Sequence, residues 1–249
     1  MKFLSALIVA ISLAFAAQST SAAIINLSDG NTEAEFDTTN LGQTELSVEG
    51  ADQLVQHTFF VSFDGGATTA NVTSLPEDAV VASNTDLDLE LDTLTVVYDD
   101  PSGQGRFTIQ KSTTIVGGQV GSNTADMAEV FRFDHLSDDP INFEVAYFAN
   151  YDLNGSNAGD SIVMLNPNAV LQSDGGFSAE AAFATAPDTF VFGSPDVTFT
   201  GNYARTVQPG GSFVFSSNTV LVVPEPGTIA LGLAGLALIG MSRDLRRHS

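Results

Sequence analysis

The chain has 249 residues, with 8 Lys and Arg against 30 Asp and Glu, three His, no Cys and no Trp, for a formal net charge of −22. The missing cysteines exclude a thiol nucleophile, a thiolate zinc site, Fe–S chemistry and disulfide bracing, so packing and backbone ladders alone must hold the fold. The two ends take Lys2, Arg243, Arg246 and Arg247, leaving the body Arg106, Lys111, Arg132 and Arg205 against 28 carboxylates once Glu225 and Asp244 are set aside from the 30. Such a surface repels nucleic acid and anionic headgroups, so no nucleic-acid partner is expected.

Residues 1–22 read as a secretory signal peptide. Lys2 gives the positive start, Phe3 to Ala17 the apolar core, and Thr20-Ser21-Ala22 or Ser21-Ala22-Ala23 the small residues of a cleavage site. An N-terminal anchor is the alternative, and the short core and small-residue exit weigh against it.

The body, 23–221, shows alternation and turn punctuation in place of helical periodicity. Val55, His57, Phe59, Val61 and Phe63 share one strand face; Gln56, Thr58 and Ser62 share the other, with Phe60 an apolar exception. Asp64-Gly65-Gly66 then signals a hairpin. Phe107 and Ile109, Phe131 and Phe133, the run Phe143 to Phe148, and the Phe-bearing segments 177–183, 190–192, 197–199 and 213–215 continue the series. Strands this frequent predict an all-β fold: a single antiparallel β-sandwich or jelly roll whose core is filled by many of the 18 phenyl rings. A signal helix and a transmembrane helix are expected to flank it. No boundary is placed inside the body; Gly117 to Thr124 is where one would fall. From Asp86 to Tyr98, Leu87, Leu89 and Leu91 take one face and Leu94, Val96 and Tyr98 the opposite one. One straight strand cannot bury both sets, so a bulge or break is expected near Asp92–Thr93. The acids Asp86, Asp88, Glu90 and Asp92 read as a solvated edge strand, with same-face neighbours about 7 Å apart, too far to share an ion easily.

Calcium is the cation these residues suit. Asp152, Asn154, Ser156 and Asp160 occupy one loop, the first three at alternate positions around Gly155. A complete EF-hand loop would also carry Gly at its sixth position and Glu at its twelfth, and both are missing. A plain polar hairpin is the alternative. Asp99–Asp100 and Asp138–Asp139 precede prolines and read as turn formers. Sugar stacking needs aromatic rings; Tyr147 and Tyr151 flank the polar loop and are the candidate ligand-binding pair, with strand-end aromatics as the plainer reading. Nothing points to a catalytic residue: His57, His135 and His248 lack spaced partners, and the HExxH, GxSxG and Walker patterns are absent.

The end of the chain has three parts. Val223-Pro224-Glu225-Pro226 is stiff and extended, because its prolines fix φ and remove donors. An uncharged run over 227–242 follows, then a basic end, 243–249, with Arg243, Arg246 and Arg247. This stretch, 222–249, resembles the PEP-CTERM sorting signal of Gram-negative bacteria: a Val-Pro-Glu-Pro motif, a short transmembrane span and a terminal Arg cluster. Gly227 stands where Ser is common, and Asp244 interrupts the cluster. The resemblance implies export across the inner membrane by the secretion machinery, handling by an exosortase, transient membrane insertion, and display at or release from the cell surface. It also implies an exopolysaccharide or biofilm setting. The tail is known too as an ice-binding-protein C-terminal domain, yet the body lacks the regular Thr-x-Thr arrays that would argue for ice binding. Sixteen residues at 1.5 Å each span about 24 Å against a hydrocarbon core of about 30 Å, which suits a span that is cut better than a permanent anchor.

The expectation is therefore a non-enzymatic, exported surface or matrix protein with no required cofactor, calcium being a candidate ligand only. A calcium- or carbohydrate-binding adhesion module is the alternative. An extracellular glycan hydrolase, with two converging carboxylates, is the third reading.

Overall fold

A computed structural model describes residues 24–40, 42–64, 69–86, 88–155, 159–193 and 197–224. The first strands are β1 (Ile24–Asp29), β2 (Thr32–Asp37), β3 (Gly42–Val48), β4 (Ala51–Asp52), β5 (Leu54–Phe63) and β6 (Ala70–Asn71). A 3-10 turn, Val72–Ser74, leads to β7 (Glu77–Ser83), β8 (Thr93–Asp99), β9 (Phe107–Gly117), β10 (Thr124–His135) and β11 (Ile141–Tyr151). After a second turn, Leu153–Gly155, come β12 (Ser161–Asn166), β13 (Ala169–Asp174), β14 (Phe177–Phe183), β15 (Thr189–Phe192), β16 (Thr198–Val207) and β17 (Ser212–Val222). Among the described residues no helix is long and apolar enough to cross a membrane. The signal segment and the span 227–242 lie outside the described residues.

The strands form two sheets. One runs β1-β2-β3-β5-β11-β16-β15, with β4 beside β3 and β6 beside β5; the other runs β12-β13-β14-β17-β10-β9-β8-β7. Every strand-to-strand ladder is antiparallel. The expected antiparallel sandwich is what forms. Its cause is period-two patterning. Along β9, β10 and β11 buried and outward residues alternate, and Ile109, Phe131, Phe133, Phe143 and Tyr147 all turn inward.

Phenyl rings do fill the core. Phe133 stacks on Phe143 across the sandwich at 4.3 Å, Phe63 on Phe107 at 4.3 Å, and Phe59 meets Phe131 at 5.2 Å. Offset rings at these separations gain beyond their buried area. The sheets also seat through backbone contact. A Cβ on Gly117 would lie 1.7 Å from the Asp29 carbonyl oxygen, so any side chain there would drive β1 off the end of β9.

Some expectations hold here and others change. Gly117 to Thr124 is the β9–β10 hairpin connection within one sheet. The break near Asp92–Thr93 is present: β8 begins at Thr93, and Asp92 accepts from the Thr85 N–H and hydroxyl. The acidic run before it is no edge strand. It is a loop held by Ser28 N–H on the Leu91 carbonyl (2.8 Å), Asp92 N–H on Ser83 (3.1 Å) and Gly30 N–H on the Glu90 carboxylate (3.1 Å). Leu89 and Leu91 are therefore exposed, and Leu87 lies outside the described residues. Val55 is exposed as well, because the ladder to β11 shifts there: Asn150 faces Gln56 but Tyr151 faces Leu54. Val55 is the extra residue of the bulge, and Leu54 takes its inward place.

The turn role of Asp100 is visible in atoms. Its buried carboxylate accepts from the Ser102 N–H (3.0 Å), the Ser102 hydroxyl (2.6 Å) and the Arg106 guanidinium (2.9 Å). Burial pushes this carboxyl up, but Arg106, Ser102 and two backbone N–H groups together hold it well below the usual carboxylate range.

Candidate functional site

Four places in the sandwich concentrate polar chemistry, and the first is the corner where β11 hands over to β12. Asp152 N–H donates to the Gln53 carbonyl (3.2 Å), which starts the turn. Asn154 then adopts φ 67, an Asn-tolerant left-handed conformation, and its side chain donates to Asp174 (3.4 Å). Asp160 accepts from Gln172 Nε2 at 2.7 Å, and the same nitrogen donates to the Tyr151 carbonyl at 2.6 Å. Burial raises the Asp152 carboxyl, with Asp52 adding to it; burial raises the Asp160 carboxyl against the opposing hydrogen bonds from Gln172 and the Leu153 N–H, with Asp174 and Asp152 adding to the rise.

Asp152 and Asp160 therefore do share a corner. Asn154 turns away to Asp174, and Ser156 lies outside the described residues. Gln172 and Asp174 were missed because the β12–β13 hairpin supplies them: Ile162 faces Gln172 in its register. One signal was available. Gln172 occupies the inward phase of β13, two residues after the buried Val170.

Tyr147 and Tyr151 do not meet the stacking expectation. Both are fully buried between the sheets, with hydroxyls 3.5 and 3.3 Å from Thr219 Oγ1. Burial pushes both phenols up, Tyr151 to about 12. A sugar cannot reach either ring in this packing.

The second place is a charged cluster inside the core. His57 on β5, Lys111 on β9 and Glu129 on β10 all point inward and are buried. Glu129 lies 3.4 Å from Lys111 Nζ and 3.2 Å from His57 Nε2, and accepts from the hydroxyls of Thr113 (3.2 Å) and Ser217 (3.4 Å). The His57 contact lacks hydrogen-bond alignment, and neither ring nitrogen has a hydrogen-bond partner. Burial, then the neighbouring Lys111, holds His57 well below its ordinary range, so the ring is neutral at pH 7. The Lys111 ammonium sits over Phe59 (5.0 Å) and Phe36 (5.6 Å). The cluster is enclosed, so its part is in holding the sheets together.

The third place is the outer face of the nine-stranded sheet. An open groove of about 340 Å³ runs across β5, β11 and β16, lined by Phe60, Ser62, Glu144, Asp188 and Asn202. The half-exposed ring of Phe60 meets that of Phe148 edge to face at 6.0 Å. Phe60, the apolar exception of its strand, is thus an outward aromatic at a groove. Asp188 is held by Arg205 at 2.6 Å.

The fourth place joins Asp29 to Asp88 and Glu90, whose carboxylate oxygens lie within 4.8 Å of one another. The loop brings together two acids that strand geometry would have separated. All three accept backbone N–H groups, from Gly117, Glu90 and Gly30 respectively.

At the chain's far end Val223 is buried and its N–H donates to the Asn123 carbonyl at 2.8 Å. The ring of Pro224 lies against Gly176, whose added Cβ would be 3.5 Å from it. Glu225, Pro226, Arg243, Arg246 and Arg247 lie outside the described residues.

The fold is shared with solved structures of low sequence identity. A galactose mutarotase related enzyme from Lactobacillus acidophilus superposes with a TM-score of 0.57 at 8% identity, covering 82% of this chain and 99% of that one. The Slr1438 protein from Synechocystis sp. PCC 6803 gives 0.57 at 12% identity, covering 85% and 99%. Identities this low speak for the fold alone. No curated protein matches the chain. The specific likeness is at the end: residues 222–247 match the family model of the PEP-CTERM protein-sorting motif, and the chain carries that motif from the last residue of β17 onward.

Proposed function

We propose that this is an exported surface or extracellular-matrix protein, delivered by an exosortase through its C-terminal motif, whose sandwich works by binding rather than by catalysis. The observation that carries the reading is the join. The sorting motif starts at 222, where β17 ends, and among the described residues the last core residue is Val223. A cut near Pro224–Pro226 would release the tail and leave every ladder of the sandwich intact. The span 227–242 would hold the chain in the inner membrane until that cut, with Arg243, Arg246 and Arg247 inside. Expression in hosts with and without an exosortase tests this by intact mass. The mature protein from the exosortase host should lack Arg243 to Ser249, and the other host should retain them. An identical, full-length mass in both would remove the sorting mechanism.

A carbohydrate-binding role is the second reading, and the groove on the nine-stranded sheet favours it. Phe60, backed edge to face by Phe148, offers apolar ring surface beside the polar edges of Glu144 and Asn202, the mixture that sugar faces and hydroxyls require. A mutarotase-related fold is compatible with a sugar ligand. Phe60→Ala should weaken binding of host exopolysaccharide about fivefold, one aromatic contact being worth about 1 kcal/mol, with the melting temperature nearly unchanged. Equal binding by both proteins would take the groove out of consideration.

A further inference from the structure

We propose that Asp152, Asp160 and Gln172 form a calcium site at the corner between β11 and β12. Three oxygens there are buried and have no hydrogen-bond partner: Asp152 Oδ1, Asp160 Oδ1 and Gln172 Oε1. All three are acceptors, so what the corner lacks is a donor or a cation.

Gln172 makes the argument more than a count of acids. Its side chain is fully buried, and its orientation is forced. Nε2 donates to Asp160 Oδ2 and to the Tyr151 carbonyl, at 2.7 and 2.6 Å. Flipping the amide would set its oxygen against two acceptors. The carbonyl oxygen therefore stays on an amide head docked against the Asp160 carboxylate, facing nothing that can donate to it. A buried amide oxygen left this way costs about 1–3 kcal/mol, and a protein retains such a group where something else satisfies it.

Charge points the same way. Asp52 acts on Asp152, and Asp174 and Asp152 act on Asp160, through a partly buried region; these like charges disfavour ionisation, and with burial they outweigh the Gln172 and Leu153 hydrogen bonds that favour it at Asp160. Among the described residues the four Lys and Arg side chains hold carboxylates elsewhere: Arg106 on Asp100 and Asp64, Lys111 on Glu129, Arg132 on Asp134, Arg205 on Asp188. The corner has no counter-ion of its own. Two carboxylates and an amide carbonyl are hard oxygen donors in an irregular turn, which suits Ca²⁺; Zn²⁺ would call for His or Cys, and Mg²⁺ for a stricter octahedron. The ligand set differs from the alternating loop read in the sequence. Asn154 is replaced by Gln172, and Asp174, folded over Gly159, stands behind as further negative charge. The site does not depend on where the protein is delivered.

Thermal unfolding of the intact sandwich in EDTA and in about 5 mM CaCl₂ tests it. For a site of extracellular-module affinity, Ca²⁺ should raise the melting temperature by about 3–8 °C. Asp160→Asn should abolish the rise, and Asp88→Asn, in the other acidic cluster, should keep it. Should Asp160→Asn fail to fold, Asp152→Asn carries the same arm. Absence of a Ca²⁺ shift in the unmodified protein overturns the proposal, and so does a shift lost in Asp88→Asn or kept in Asp160→Asn.

Discussion

Lys111→Met alone should cost about 3–5 kcal/mol, and Glu129→Gln alone a similar amount, because each leaves a buried partner without its opposite charge. The double variant Lys111→Met, Glu129→Leu should recover most of that loss. Glu129 sits 3.4 Å from the Lys111 ammonium with Thr113 and Ser217 hydroxyls on its remaining lone pairs, and solvent does not reach it. Burial presses the Glu129 carboxyl up and the Lys111 ammonium down, and each offsets the other. Urea unfolding followed by tyrosine fluorescence gives the three values, since the chain has no Trp. Single variants within about 1 kcal/mol of the parent would mean that water reaches the cluster and screens it.

Phe133→Ala should be comparably severe, at about 3–5 kcal/mol. The ring lies 4.3 Å from Phe143 of the opposite sheet, 5.2 Å from Phe107 and 6.4 Å from Phe63. Its loss opens a cavity at the contact between sheets, where backbones cannot close up without breaking ladders on both sides. Phe192→Ala removes the same atoms from an edge strand, where the residue is 42% exposed, and should cost far less. Calorimetric melting of the pair separates burial from residue type; equal losses would contradict the layer assignment.

Fold class was legible because alternation is a local property. Phe131–Phe133 and Phe143–Tyr147 announce their inward faces within a few residues, and so does the clash of Leu91 against Leu94 that marks the break. What stayed hidden depends on partners distant in sequence. Val55 changes face because β11 slips by one residue against it, and only the pairing shows that slip. The acids from Asp86 to Asp92 alternate like a strand but find no ladder. Glu129 and Lys111 left a readable trace, each a charged residue at an apolar-phase position, as Gln172 left a polar one. A polar residue in an inward phase marks a buried contact; it does not name the partner, which here comes from another strand each time. Tyr147 and Tyr151 failed as surface rings for the same reason. Proximity to a polar loop in sequence says nothing of which face a ring takes, and their phase with Phe143 and Val145 places them inside.

β17 is the last strand among the described residues, yet it lies in the middle of its sheet, between β14 and β10. Until residues 212–222 are available, β12-β13-β14 and β10-β9-β8-β7 are two half-sheets, each with an open edge where β17 belongs. The eight-stranded layer can be completed only after the whole body has been made, when the next residues to emerge are those of the sorting motif. Order of synthesis thus ties closure of the domain to arrival of its address label. Closure of that layer waits on the residues that lie immediately before the motif.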